Sequence, residues 1–72
     1  MHHDHDEDQA KLEHLIGHWV EHNRSHEESY SQWAERAKHM GHQRTAELIE
    51  EAVACMREAD VLLLEALRAL KG

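Results

Sequence analysis

His14, His18, His22 and His26 recur every four residues in a stretch whose apolar spacing is that of one long helix. A step of four residues turns a helix by roughly 400°, so each histidine sits about 40° further round than the last. On a helical wheel Leu12, Leu15, Trp19, Tyr30, Trp33, Ala37 and Met40 make one stripe. His26 falls at its middle, His22 just inside its border, His18 on the margin and His14 outside. Two imidazoles one turn apart on a packed face need partners, because a buried polar group without one is costly. Spacing of i and i+4 is also how helical zinc sites place their first two ligands. The expectation is a metal ion held by His22 and His26, with His18 near enough to join. The competing reading is a pair of neutral core histidines bonded to each other, to Asn23 or to an acid of a second helix. Both readings require the two rings to face inward.

Further ligands must come from elsewhere. If the chain turns at 41–42 and the helices run antiparallel, His26 lies near residue 58 and His22 near residue 62. Cys55, Met56 and Asp60 are the polar or soft residues there. Asp60 is the favoured ligand, since it would otherwise intrude as a charge among Val53, Met56, Leu63 and Leu67. Its alternative role, and that of Asn23, is to hold a ligating imidazole in one orientation. Cys55 is read as a small buried hydrophobe. Two copies of His22-x-x-x-His26 brought together would instead supply four imidazoles. Such donors suit Ni, Co, Zn or Cu, and the spacing does not choose among them. Neutral imidazole is the ligating form, so a site of this kind should weaken below about pH 6.5.

The opening segment, MHHDHDED, is a second cluster of donors. His3 would stand third from a free amino group, the arrangement that gives Cu(II) and Ni(II) a square-planar cage. His2 and His5 add looser donors. With no hydrophobe beyond Met1, residues 1–8 are expected to be disordered, with Asp6 or Asp8 capping the helix that follows.

The elements that must position these residues are two helices. There is no Pro or Phe, and the chain has only three Gly. Helix-favouring Ala, Leu, Glu and Arg dominate, so the fold class is all-α. Helix 1 is expected over about 9–40. Gly17 costs it about 1 kcal/mol relative to Ala, and Ser25-x-x-Glu28 has the form of a capping box. The apolar phase is nonetheless unbroken, which predicts a continuous helix through Asn23. Gly41 is a natural stop, and helix 2 should span about 43–70. Its apolar arc includes Leu48, Ile49, Ala52, Val53, Met56, Ala59, Leu63, Leu67 and Leu70. Val61, Leu62, Leu63 and Leu64 point all the way round, more than a hairpin can cover. A homodimer closing a four-helix bundle is the simplest remedy.

Seventy-two residues make one small domain, marginal as a core by itself. The formal charge of −7 speaks against nucleic acid and favours cations or basic partners. No apolar run approaches the roughly 20 residues of a membrane span, and the acidic start is unlike a basic signal sequence. A single cysteine fits a reducing cytosol, so a cytoplasmic location is expected.

Residues 12–34, LEHLIGHWVEHNRSHEESYSQWA, resemble a pattern in short bacterial and archaeal proteins: a His/Asp-rich start, then His-Trp-x-Glu-His-Asn-x-x-His and a later Trp-Ala. That resemblance implies a role in nickel, cobalt or zinc handling, with His18, His22, Asn23 and His26 at the matching positions. A fainter similarity to hemerythrin-like bundles is set aside, since most di-iron ligands are missing.

The resulting expectation is a metallochaperone, buffer or accessory factor for a divalent transition metal. Its partners would be a second copy and a metal transporter or metalloenzyme-maturation protein. The competing class is a non-catalytic helical interaction module with structural histidines. An enzyme is disfavoured: no nucleophile–base pair, phosphate loop or paired catalytic carboxylates stand out.

Overall fold

The computed structural model describes the backbone of residues 2–72 and the side chains from Asp6 onward. Two helices, α1 (His2–His39) and α2 (Gln43–Lys71), pack as an antiparallel hairpin. The result is a rod 59 Å long and 15 by 12 Å across. That length is about what a 38-residue helix reaches at 1.5 Å per residue. Among the described residues no helix is long and apolar enough to cross a membrane.

The turn is a Schellman motif. Gly41 takes φ 87°, the His42 N–H donates to the Ala37 carbonyl at 2.8 Å and the Gly41 N–H to Lys38 at 3.0 Å. Glycine permits this left-handed step without steric cost, and the two bonds satisfy carbonyls that the helix end leaves open. Arg36, Lys38 and His39 in the last turn suit the negative end of the helix dipole.

So short a connection holds the helices close together, and only small side chains fit beside it. Ala34, Ala37 and Ala46 fill that end, with Ile49 packed against them. Further along, Ile16 and Val20 of α1 and Val53 of α2 are buried, with Asn23, Met56 and Leu63 partly covered. Lys38 Nζ donates to Glu50 Oε2 at 2.9 Å near the turn, and Gln9 Nε2 donates to the Leu70 carbonyl at 3.3 Å at the open end. Among the described residues no large side chain is fully buried. The core is one residue deep.

Three expectations change. α1 begins at His2 rather than near residue 9. Asp6, Glu7 and Asp8 stand near the positive end of the helix dipole, which favours helix where hydrophobicity offers nothing. The stripe of Leu12, Leu15, Trp19, Tyr30, Trp33 and Met40 does not face α2, and all six are exposed. α1 carries two stripes of three-and-four spacing offset by one residue, and the tight turn selects the one with the smaller side chains. Cys55 is exposed rather than buried. The unbroken helix through Asn23, the turn at 41–42 and the antiparallel register are as expected: Asn23 meets Asp60, and Glu27 meets Arg57.

Ala46 is fully buried against Ala34 and Ala37. Ala46→Leu should therefore cost about 1–3 kcal/mol by overpacking, lowering the melting temperature by roughly 4–8 °C per kcal/mol. Ala54→Leu, at an exposed position, should leave it nearly unchanged. Thermal denaturation followed by circular dichroism compares the two.

Candidate metal centre

The inner stripe of α1 runs Ile16, Val20, Asn23, Glu27, Ala34. The positions one residue earlier form an outer stripe of Leu15, Trp19, His22, His26 and Trp33, turned away by about 100°. His22 and His26 thus stand exposed on the side of the hairpin. This corrects the inward orientation expected of them. The aromatic residues around them had suggested a core, but within one chain α2 covers the neighbouring stripe.

The rings still share a face. His22 and His26 lie edge to face with centroids 4.5 Å apart. His18 stacks beyond His22 at 6.2 Å, and Tyr30 continues the row beyond His26 at 5.6 Å. Trp33 closes this line with the Arg36 guanidinium 4.6 Å above its ring, a cation–π contact. His14 and His18 are exposed, as are His39 and His42 at the turn. His2, His3 and His5, the expected capture residues, have side chains outside the described set. Among the described residues no three His, Cys, Asp or Glu side chains of one chain converge on a point where an ion could sit. Among the described residues a single chain thus brings two imidazoles together without a closed cage.

Asp60 is not beside the histidines. It is 5% exposed in the seam between the helices, accepting a hydrogen bond from Asn23 Nδ2 at 2.9 Å. Asn23, expected to orient a ligating ring, serves Asp60 instead. The third member of this group is Glu27, 6% exposed, which the sequence reading passed over. Arg57 Nε approaches Glu27 Oε1 at 3.8 Å, while Glu27 Oε2 is buried without a partner. A hydrogen bond with Asp60 pushes the Glu27 carboxyl above its ordinary range, with burial and the Asp60 charge adding to it; Arg57 and Arg24 oppose them. The nearby Asp60 charge therefore favours the neutral form of Glu27. The signal was available: Asn23 and Glu27 keep the three-and-four spacing of Ile16 and Val20, and the hairpin register sets Asp60 against them.

Residues 12–70 match the family model described as a domain of unknown function, DUF8180. No curated protein and no solved structure matches the chain.

Because the folded chain raises the pKa of Glu27, the folded state gains from its protonation, and stability should fall as pH rises through the folded-state value. Glu27→Gln keeps a hydrogen bond to Asp60 and removes the second charge. It should raise the melting temperature at pH 7–8 and flatten its dependence on pH from the ordinary carboxylate range upward. Asn23→Ala should do the opposite, costing about 1–3 kcal/mol by leaving a buried acceptor short of its donor. Melts across a pH series would contradict this if Glu27→Gln were the less stable protein throughout.

Proposed function

The chain belongs to the DUF8180 family, and we propose that it is a small transition-metal-binding protein serving divalent-metal homeostasis. The observation that carries this reading is the row of rings on an exposed face of α1. His22 and His26 stand one helical turn apart with their centroids 4.5 Å from each other, a spacing at which two imidazoles can share one ion. His18 is the next donor along the row. Nickel, cobalt, zinc and copper all accept such nitrogen ligands.

With the outer coordination positions left to other donors, an ion on this face stays exchangeable. That suits a buffer or metallochaperone passing its cargo to a transporter or a metalloenzyme-maturation protein. Asp60, bonded to Asn23 within the seam, has no part in holding it. His2, His3 and His5 would act as a separate capture segment.

A second reading has its own support. Leu12, Leu15, Trp19, Trp33 and Leu48 are exposed, which fits a helical interaction module whose histidines are merely polar members of a contact face.

Calorimetric titration with Ni(II), Co(II) and Zn(II) separates the two. In a chain whose His2, His3 and His5 are replaced by Ala, the further change His22→Ala with His26→Ala should abolish the tightest site. The loss should exceed the roughly 10- to 100-fold drop that follows removal of a residue which only orients a ligand. Equal affinity for every metal before and after would leave the interaction module standing.

A further inference from the structure

The hairpin has two broad sides of opposite character. In α2 the inner stripe is Ala46, Ile49, Val53, Asp60 and Leu63, and the positions one residue earlier include Leu48, Ala52, Cys55, Ala59 and Leu62. A backward step of one residue turns each helix by about 100° in the same sense along its own axis. Since the helices run in opposite directions, the two outer stripes land on the same side of the rod. One positions Trp19, His22, His26 and Trp33, and the other Leu48, Ala52, Ala59 and Leu62.

None of the chain's 15 Asp and Glu residues falls on these stripes between Leu12 and Met40 or between Leu48 and Ala69. The opposite side, one residue later in each stripe, carries Glu21, Arg24, Glu28, Glu47 and Arg57, with the exposed Val61 and Leu64 towards the open end. In a chain of charge −7, two stripes without carboxylates are a surface on which charge repulsion is weakened, with Glu51 and Glu58 at the margin of the α2 stripe.

We infer that this face pairs with the same face of a second copy, antiparallel about a two-fold axis, joining the two His22–His26 pairs into one four-imidazole metal site. The ion rests on the metal-binding reading above, whereas the pairing of the chains does not.

The size of the face fits. A strip 59 by 15 Å covers roughly 900 Å² per chain, close to the roughly 800 Å² per partner of a stable interface. The register fits as well. Gln9 closes one end of the hairpin and the turn after His39 the other, so the middle of α1 lies at about Arg24, between His22 and His26. A perpendicular two-fold axis there sets His22 of one chain against His26 of the other, and Trp19 against Ser29.

The same axis passes Ala59 of α2, beside Asn23 and Asp60 in the register of the hairpin. It sets Leu62 against Cys55 and Leu48 against Ala69, so larger side chains meet smaller ones, and Ala59 meets itself. The other two-fold arrangement, with both turns at one end, would lay α1 on the partner's α2. It would press the imidazoles against Ala59 and Leu62, leaving polar nitrogens in an apolar seam with at most a thiol for company. The antiparallel pairing gives them each other, and four imidazoles complete a tetrahedral ion.

The test uses the full chain with Cys55→Ala and Ala59→Cys. Ala59 lies on the proposed axis, so mild oxidation should link two chains through a single disulfide, whose formation requires Cα atoms within about 7 Å. Ala54→Cys in the same background, on the opposite side, should not link. Sedimentation should give a dimer mass for the parent and for His22→Ala with His26→Ala, and Co(II) titration of the chain with His2, His3 and His5 replaced by Ala should saturate at one ion per two chains. A monomer, or equal linking at 54 and 59, overturns the pairing. A monomer that binds one ion per chain through His22 and His26 overturns this inference while leaving the metal-binding reading intact. A dimer linked at 59 that saturates at one ion per chain overturns the shared site. A linked dimer that takes up no metal removes the metal-binding reading and keeps the pairing.

Discussion

At the closed end of the hairpin, a three-residue connection brings two backbones together and favours small side chains between them. Ala34, Ala37 and Ala46 occupy that space, and their position fixes the rotation of α1 about its own axis. From there a rigid helix carries the choice along its length: Val20, Asn23 and Glu27 inherit the seam, and Trp19, His22 and His26 inherit the side. A rotation of about 100° would have exchanged the two sets. The close approach at the turn is incompatible with that exchange, because Trp33 and Met40 would then have to enter the space the alanines fill.

The seam so chosen is an unusual one for a small protein. Its middle holds Asn23, Glu27 and Asp60 where a hydrophobic core would place leucine. Such a group contributes little net stability, since desolvation offsets most of the attraction. It does fix register: shifting α2 by a turn would put Asp60 opposite an apolar residue and strip Asn23 of its acceptor. The bulky hydrophobes, meanwhile, are spent on the outside. A chain this short thereby leaves Leu, Trp and Val side chains exposed and has only a small core of its own.

Much of this was legible in the sequence. The absence of proline, the glycine at 41 and the unbroken apolar spacing give two helices and their turn. The turn in turn gives the register that pairs Asn23 with Asp60. What the pattern does not decide is which of two equally periodic stripes a partner helix covers. Ranking stripes by side-chain size favours the one bearing Trp19 and Trp33, whereas packing beside a tight turn favours the one bearing Ala34, with Ala37 the one buried member of the expected stripe. The error propagates to His22, His26 and Cys55, all expected inside and all found outside. It also hid Glu27, whose role appears only once the seam is known. The start of α1 escaped for a different reason. Hydrophobic periodicity is silent over residues 2–8, while the helix dipole acts on the acids there.

The raised Glu27 carboxyl also changes what folding exchanges with solvent. Over the pH span between its unfolded and folded values, the hairpin holds more of a proton on Glu27 than the unfolded chain does. Collapse of the chain therefore draws hydrogen ions from the medium. The heat measured on unfolding would include the ionisation enthalpy of whichever buffer receives them, so that phosphate and Tris would report different calorimetric enthalpies for one and the same transition.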